Sequence, residues 1–190
     1  MNRSTIGLSN ACYCKRVISS GTVTYDDGVL LPGAVQAEIA ITRDEVNKYA
    51  DNVLIYNENT FRSGTITLTE AAWADSDFVA LTGNTLSTST VQSLANPNPP
   101  YVGFGMIQDT ITESSGSWSK SYTAVFLPKV KFAEQGGTAQ TKGESTSFSD
   151  PTLVGTIYAD ESGVWKEMQT FSTLAAAQTW LFTKMDVPTS

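Results

Sequence analysis

Cys12 and Cys14 are the side chains with the most intrinsic reactivity, and on a strand a spacing of two puts both thiols on one face. Thiols can hold zinc or attack as nucleophiles, but the first role needs further cysteines or histidines and the second usually needs a base. The chain has no histidine and no third cysteine, so the pair reads as free thiols of a reducing compartment, without metal. The carboxylates Asp26-Asp27 and Asp44-Glu45 could serve a glycosidase, which sets two carboxyls ~5 to 9.5 Å apart across a bond. They sit beside Gly28 and Arg43 in expected turns and read as solvated charge. Lack of histidine also removes the usual partner of a catalytic serine. Gly103 and Gly105 lead into Met106-Ile107, not into Lys-Ser/Thr and a helix, so they do not form a phosphate-cradling loop. These residues point away from an enzyme and call for no cofactor.

The elements that would position these residues are short and mostly extended. Ala34 to Thr42 alternates, with Val35, Ala37, Ile39 and Ile41 on one side and Gln36, Glu38, Ala40 and Thr42 on the other. Val53 to Tyr56 reads as a short strand, Asn57-Glu58-Asn59 as a turn, and Phe61 to Thr69 as a strand in which Ile66 and Leu68 oppose Thr65, Thr67 and Thr69. Asp75 or Ser76 can cap a helix to about Leu81, closed by Gly83. Leu86 to Pro100 reads as a loop. Tyr101 to Gln108 and Ser121 to Phe132 form hairpin arms around Glu113 to Ser117, with Pro128 marking an edge strand or a bulge. After a connection at Glu134 to Thr141, strands are expected at Glu144 to Phe148, Thr152 to Ala159 and Val164 to Thr170. Leu174 to Phe182, capped by Ser172 or Thr173, is expected to be a second helix.

Composition agrees with this pattern. Of 190 residues, 41% are hydrophobic and only 16% charged, which suits short strands with polar turns better than long surface helices. The expected fold is mainly β: a β-sandwich or partly closed barrel with one or two short flanking helices, spanning residues 1–190 as one domain. A net charge of -7 and no basic run beyond Lys15-Arg16 argue against tight DNA or RNA binding. No stretch approaches the ~20 apolar residues of a membrane span, so no membrane partner is expected. Trp73, Trp118, Trp165 and Trp180 could form a sugar-stacking platform, which would make the chain a carbohydrate-binding or adhesion module. Trp118, in a Ser/Gly-rich hairpin tip, is instead expected to be exposed and to touch another subunit.

Several blocks of the sequence resemble the bacteriophage major tail protein family. They are Tyr49 to Tyr56, Ser63 to Leu68, Tyr101 to Gly105, Leu127-Pro128-Lys129-Val130-Lys131-Phe132, Thr141-Lys142-Gly143-Glu144-Ser145, Pro151 to Leu153 and Gly155 to Ile157. They fall in family order between about Gly33 and Leu181. The resemblance implies a tail tube domain that self-assembles into homo-hexameric rings stacked as a conduit for DNA ejection. It also implies a virion location, after synthesis in the host bacterial cytoplasm, and tail tip, tape measure and tail terminator proteins as partners. A tube subunit of a contractile tail or a phage-tail-like bacteriocin is a close variant. Residues 1–27 match weakly and are expected to form an N-terminal arm that orders on assembly, and no C-terminal immunoglobulin-like domain is expected. If one sheet face packs on the core and the other lines the lumen, the wall residues are Gln36, Glu38, Thr42, Thr65, Thr67 and Thr69, a polar face with a carboxylate and no cation. DNA is then expected to pass without specific binding.

Overall fold

Hairpins build the fold. The structure, a computed structural model, describes residues 2–114, 116–137 and 150–188. Ser20-Gly21 joins β1 (Asn2–Ser19) to β2 (Thr22–Leu30), and Asp51-Asn52 joins β3 (Ala34–Ala50) to β4 (Val53–Glu70). Both residues of each turn have positive φ, the geometry that matches the right-handed twist of paired strands. β7 (Val102–Ser114) and β8 (Ser117–Glu134) form the third hairpin, as expected from sequence. β9 (Thr152–Ile157) and β10 (Glu167–Phe171) complete an antiparallel sheet of order β2-β1-β7-β8-β9-β4-β3, with β10 also on β8.

β8 lies at the centre and changes partner along its length. Its first half pairs with β10 from Tyr122 to Phe126, and its second with β9 from Val130 to Glu134. Pro128, which cannot donate to a ladder, falls between those pairings and in the register shift opposite β7, so the bulge reading holds and the edge reading does not. Its carbonyl accepts the Tyr25 hydroxyl at 3.1 Å.

Two apolar clusters flank the sheet. In the larger, Phe104, Met106, Val125 and Leu127 from the middle of the sheet pack with Ile66, Leu68 and Leu153 from its far side, so the sheet folds over its own core. Helix α1 (Asp75–Thr82) closes one end with Leu81. On the opposite face, α2 (Leu174–Met185) covers Cys12, Cys14, Ile107, Ala124 and Phe126. It comes so close that a Cβ on Gly105 would stand 2.4 Å from the Met185 sulfur, and one on Gly28 2.3 Å from the Met185 carbonyl oxygen. Those two glycines are therefore demanded by helix-on-sheet approach.

The fold is mainly β with flanking helices, as the composition implies, but the sheet does not close into a barrel. Several local expectations are corrected. Residues 2–27 are not an assembly arm: β1 pairs with both β2 and β7, and Ala11 to Cys14 are buried. Register shifts at Thr5/Gly7, Ser9/Cys12 and Tyr13/Lys15 break the period of two that would have announced the strand. Asn57 to Asn59 continue β4, and the chain reverses at Asp51-Asn52 instead. Ala74, not Asp75 or Ser76, is the N-cap of α1, while Gly83 ends it as expected, at φ 71°. Within the expected loop, β5 (Thr85–Ser87) and β6 (Thr90–Gln92) pair as a small hairpin. It is tied to β8 because Glu134 accepts from Asn84 at 2.8 Å and Ser93 at 3.0 Å. Thr173 caps α2, its hydroxyl accepting from the Ala176 N–H at 3.3 Å. The strand expected at Glu144 to Phe148 lies outside the described residues.

Candidate functional site

The six residues read from sequence as a wall do share one face. β3 and β4 place Gln36 opposite Thr69, Glu38 opposite Thr67, Ala40 opposite Thr65 and Thr42 opposite Ser63. β9 extends the rows with Thr152 beside Thr69, Val154 beside Thr67 and Thr156 beside Thr65. β8 then adds Ala133 and Lys131. The opposite face carries Ala37, Leu68 and Leu153 in one row and Ile39, Ile66 and Phe132 in the next, all against the core. Gln36, Glu38, Thr42 and Thr65 are exposed, and Thr67 and Thr69 are half-buried.

Two assignments on the apolar side fail. Val35 is 53% exposed because it is the extra residue of a bulge between Ala34 and Gln36, which turns it out of phase. Ile41 is 43% exposed at the open edge of the sheet, beside a 240 Å³ cavity lined also by Met106, Val125 and Met168. The face also holds the cation that sequence reading left out. Lys131 lies in the row of Thr156, Thr65 and Ala40, three strands from the edge strand that carries Glu38. Strand spacing separates the two charges by roughly 14 Å, beyond the ~8 Å screening length of physiological salt, so Glu38 does not cancel Lys131. The Lys131 ammonium instead sits 5.4 Å from the centre of the Tyr101 ring, which Lys129 also faces at 5.2 Å.

Beyond Thr42 the same hairpin leaves the body. From Arg43↔Phe61 to Ala50↔Val53 the two strands pair only with each other, and nearly every residue is exposed. A third bulge in the β3–β4 ladder, at Lys48/Tyr49, leaves Ile55 unpaired and sets Val46 and Tyr56 on one side, Tyr49 and Leu54 on the other. Val46, Tyr49, Val53, Ile55 and Tyr56 are 50% or more exposed, and Leu54 47%. Polar contacts brace the ribbon: Glu45 accepts from Asn47 at 3.1 Å and Asn57 at 2.9 Å, and Arg62 pairs with Asp44 at 3.4 Å. At the root, Phe61 stacks on Trp165 with ring centres 4.8 Å apart and planes 4° from parallel. Sequence reading missed this arm because the false turn at Asn57 to Asn59 split it. The signal was present in Asp51-Asn52, two residues that tolerate positive φ between two extended runs.

Trp118 is 61% exposed, opposite Glu113 near the tip of the β7–β8 hairpin. The other tryptophans lie apart from it. Trp73 donates to the Pro151 carbonyl at 3.3 Å, Trp165 stacks at the arm root and Trp180 packs with the α2 cluster, so the four do not share a platform.

The groups that could have done chemistry are tied into structure. Cys12 and Cys14 are free, buried and on one face beneath α2, and burial pushes the Cys14 thiol up to about 12 and the Cys12 thiol higher still. Asp27 pairs with Lys15 at 2.7 Å, both well exposed. At the Asp160–Gly163 turn, Glu161 bonds Arg16 and accepts from Lys129 at 3.1 Å. Hydrogen bonds from its own backbone N–H and from Lys129 hold its carboxyl below the usual range. Among the described residues no three His, Cys, Asp or Glu side chains converge to hold a metal, and no helix is long and apolar enough to cross a membrane. No protein-family model matches this chain, and no curated protein matches it.

Proposed function

We propose that this chain is a structural subunit that assembles with copies of itself, as its resemblance to phage major tail proteins implies: rings of six, stacked into the tube through which DNA leaves a virion. The observation that carries the reading is the arm from Arg43 to Arg62. An isolated two-stranded hairpin is marginal in water, and this one spreads six large apolar side chains over both of its sides. Burying the exposed half of each would contribute about 1 kcal/mol, so one arm brings several kcal/mol to an interface. That is of the order needed to offset the ~4 to 15 kcal/mol cost of association when each copy both gives and receives an arm.

Two further features support the reading. The edges of the sheet at β2, β3 and β10 have no strand partner among the described residues, which favours continuation into a neighbouring copy. The threonine face is close to neutral, with Glu38 and Lys131 far apart, and the whole chain carries -7. A surface of that kind does not accumulate phosphate contacts, which suits a conduit that must release what it conducts. In this role the chain carries out no reaction, uses no cofactor, and meets tail tip, tape measure and terminator proteins at the ends of the tube. Sedimentation velocity across a concentration series tests it. Growth into large discrete species supports self-assembly, and a lone monomer at every concentration, with tail-tip extract added, overturns it.

A further inference from the structure

Among the described residues, one charged side chain is buried with no cation paired to it. Glu70 ends β4 and is 2% exposed. Its backbone pairs with Ala34 and its N–H donates to the Pro151 carbonyl at 3.2 Å. The carboxyl accepts a hydrogen bond from the Gly33 backbone, which favours its charged form and is outweighed by burial and Asp77, and its Oε2 lies so close that a Cβ on Gly33 would stand 2.8 Å away. The other oxygen, Oε1, has no hydrogen-bond partner among the described residues. Across from it α1 brings a second carboxylate, Asp77, whose Oδ1 accepts the Tyr13 hydroxyl from β1 at 3.0 Å. The other acidic groups on the adjoining segments, Asp75 and Asp150, are exposed, and residues 30–34 and 70–82 contain no Lys or Arg.

A buried carboxylate without a cation is costly, and a second carboxylate facing it raises the cost further. We infer that the junction of the 31–33 turn, the end of β4 and α1 is a proton-operated clamp, closed while Glu70 keeps its proton and loosened when Glu70 and Asp77 are both charged. Loosening would act on α1, which is tied to β1 through Asp77 and Tyr13 and plugs the core with Leu81. Burial first, and Asp77 second, push the Glu70 carboxyl from its ordinary 4.5 up to about 7. With the folded value raised, the clamp's contribution is complete below about 4.5 and is lost as pH rises through about 7. Among the described side chains whose titration the fold clearly shifts, none of the others falls in that window. The chain has no histidine, burial pushes the Cys12, Cys14, Tyr13 and Tyr25 groups far above it, and hydrogen bonds hold Asp160 and Glu161 below it. The inference does not depend on what the protein assembles into.

Calorimetric unfolding near pH 6, run in two buffers of different ionisation enthalpy, reads the proton directly. The wild-type chain should release close to one proton on unfolding, and its unfolding constant should rise by on the order of a hundredfold between about pH 5 and about pH 8. Glu70→Gln should release none and show a flat midpoint across that range. Asp77→Asn, which leaves Glu70 in place, should release less than wild type at the same pH. A wild-type chain that exchanges no proton near pH 6 overturns the clamp. So does a Glu70→Gln variant that keeps the wild-type slope.

Discussion

β3 and β4 run as one hairpin through two environments. In the body half, Ala37, Ile39, Ile66 and Leu68 face a core, and β9 pairs with β4 from Gly64 to Thr69. In the arm half, the same ladder continues with solvent on both sides and apolar residues on both faces. The β3–β4 ladder runs through both halves, and only the body half adds a second ladder, to β9. The larger difference is burial, which, rather than strand pairing, supplies most of the net stability of a sheet. The body thus carries its own core, whereas the arm leaves its apolar side chains in solvent, where the proposed assembly would bury them.

The largest effect should come from the body. Phe104 is fully buried, with its ring 6.0 Å from that of Phe132, so Phe104→Ala should cost about 3 to 5 kcal/mol in denaturant unfolding. Leu54→Ser in the arm should change the same measurement by less than ~0.5 kcal/mol. Comparable losses would erase the distinction between the halves. An intermediate effect belongs to the boundary. Trp165→Ala removes the stack that roots the arm and should cost roughly 1 to 2 kcal/mol, with hydrogen exchange of residues 43–62 accelerating more than that of the body. The smallest effect concerns the threonine face. Glu38→Lys lies on an exposed edge strand and should leave folding within ~0.5 kcal/mol of wild type. It adds a cation to a face that already holds Lys131, so if this face lines a DNA conduit as proposed, assembled tails should eject DNA more slowly, most visibly at low salt. Normal ejection at low salt would remove these residues from the lumen.

The alternation of residues 36 to 42 against 63 to 69 was legible because a strand with one dry face keeps a period of two, and it placed these residues on one common face. Val35 escaped because a bulge inserts one residue and reverses the phase, which no count of alternating positions detects. Lys131 was missed for a different reason. It belongs to a strand distant in sequence, and only the β8–β9 register brings it onto the face. The same holds for Glu70, whose isolation arises from α1 and residues 31–33 meeting over it. β1 stayed hidden because it is a middle strand with three register shifts and an apolar patch on each face. Local pattern reports on strands whose two faces differ steadily, and it fails where bulges or two-sided packing remove that difference.

The central claim, that the arm is an assembly element and not part of the folding unit, is tested most directly by negative-stain microscopy of wild type beside Leu54→Asp. Both proteins should be at equal concentration, with their thermal midpoints matched beforehand. The account predicts rings or tubes of uniform diameter for wild type and dispersed monomers of unchanged midpoint for the variant. Rings or tubes formed equally well by Leu54→Asp would contradict it.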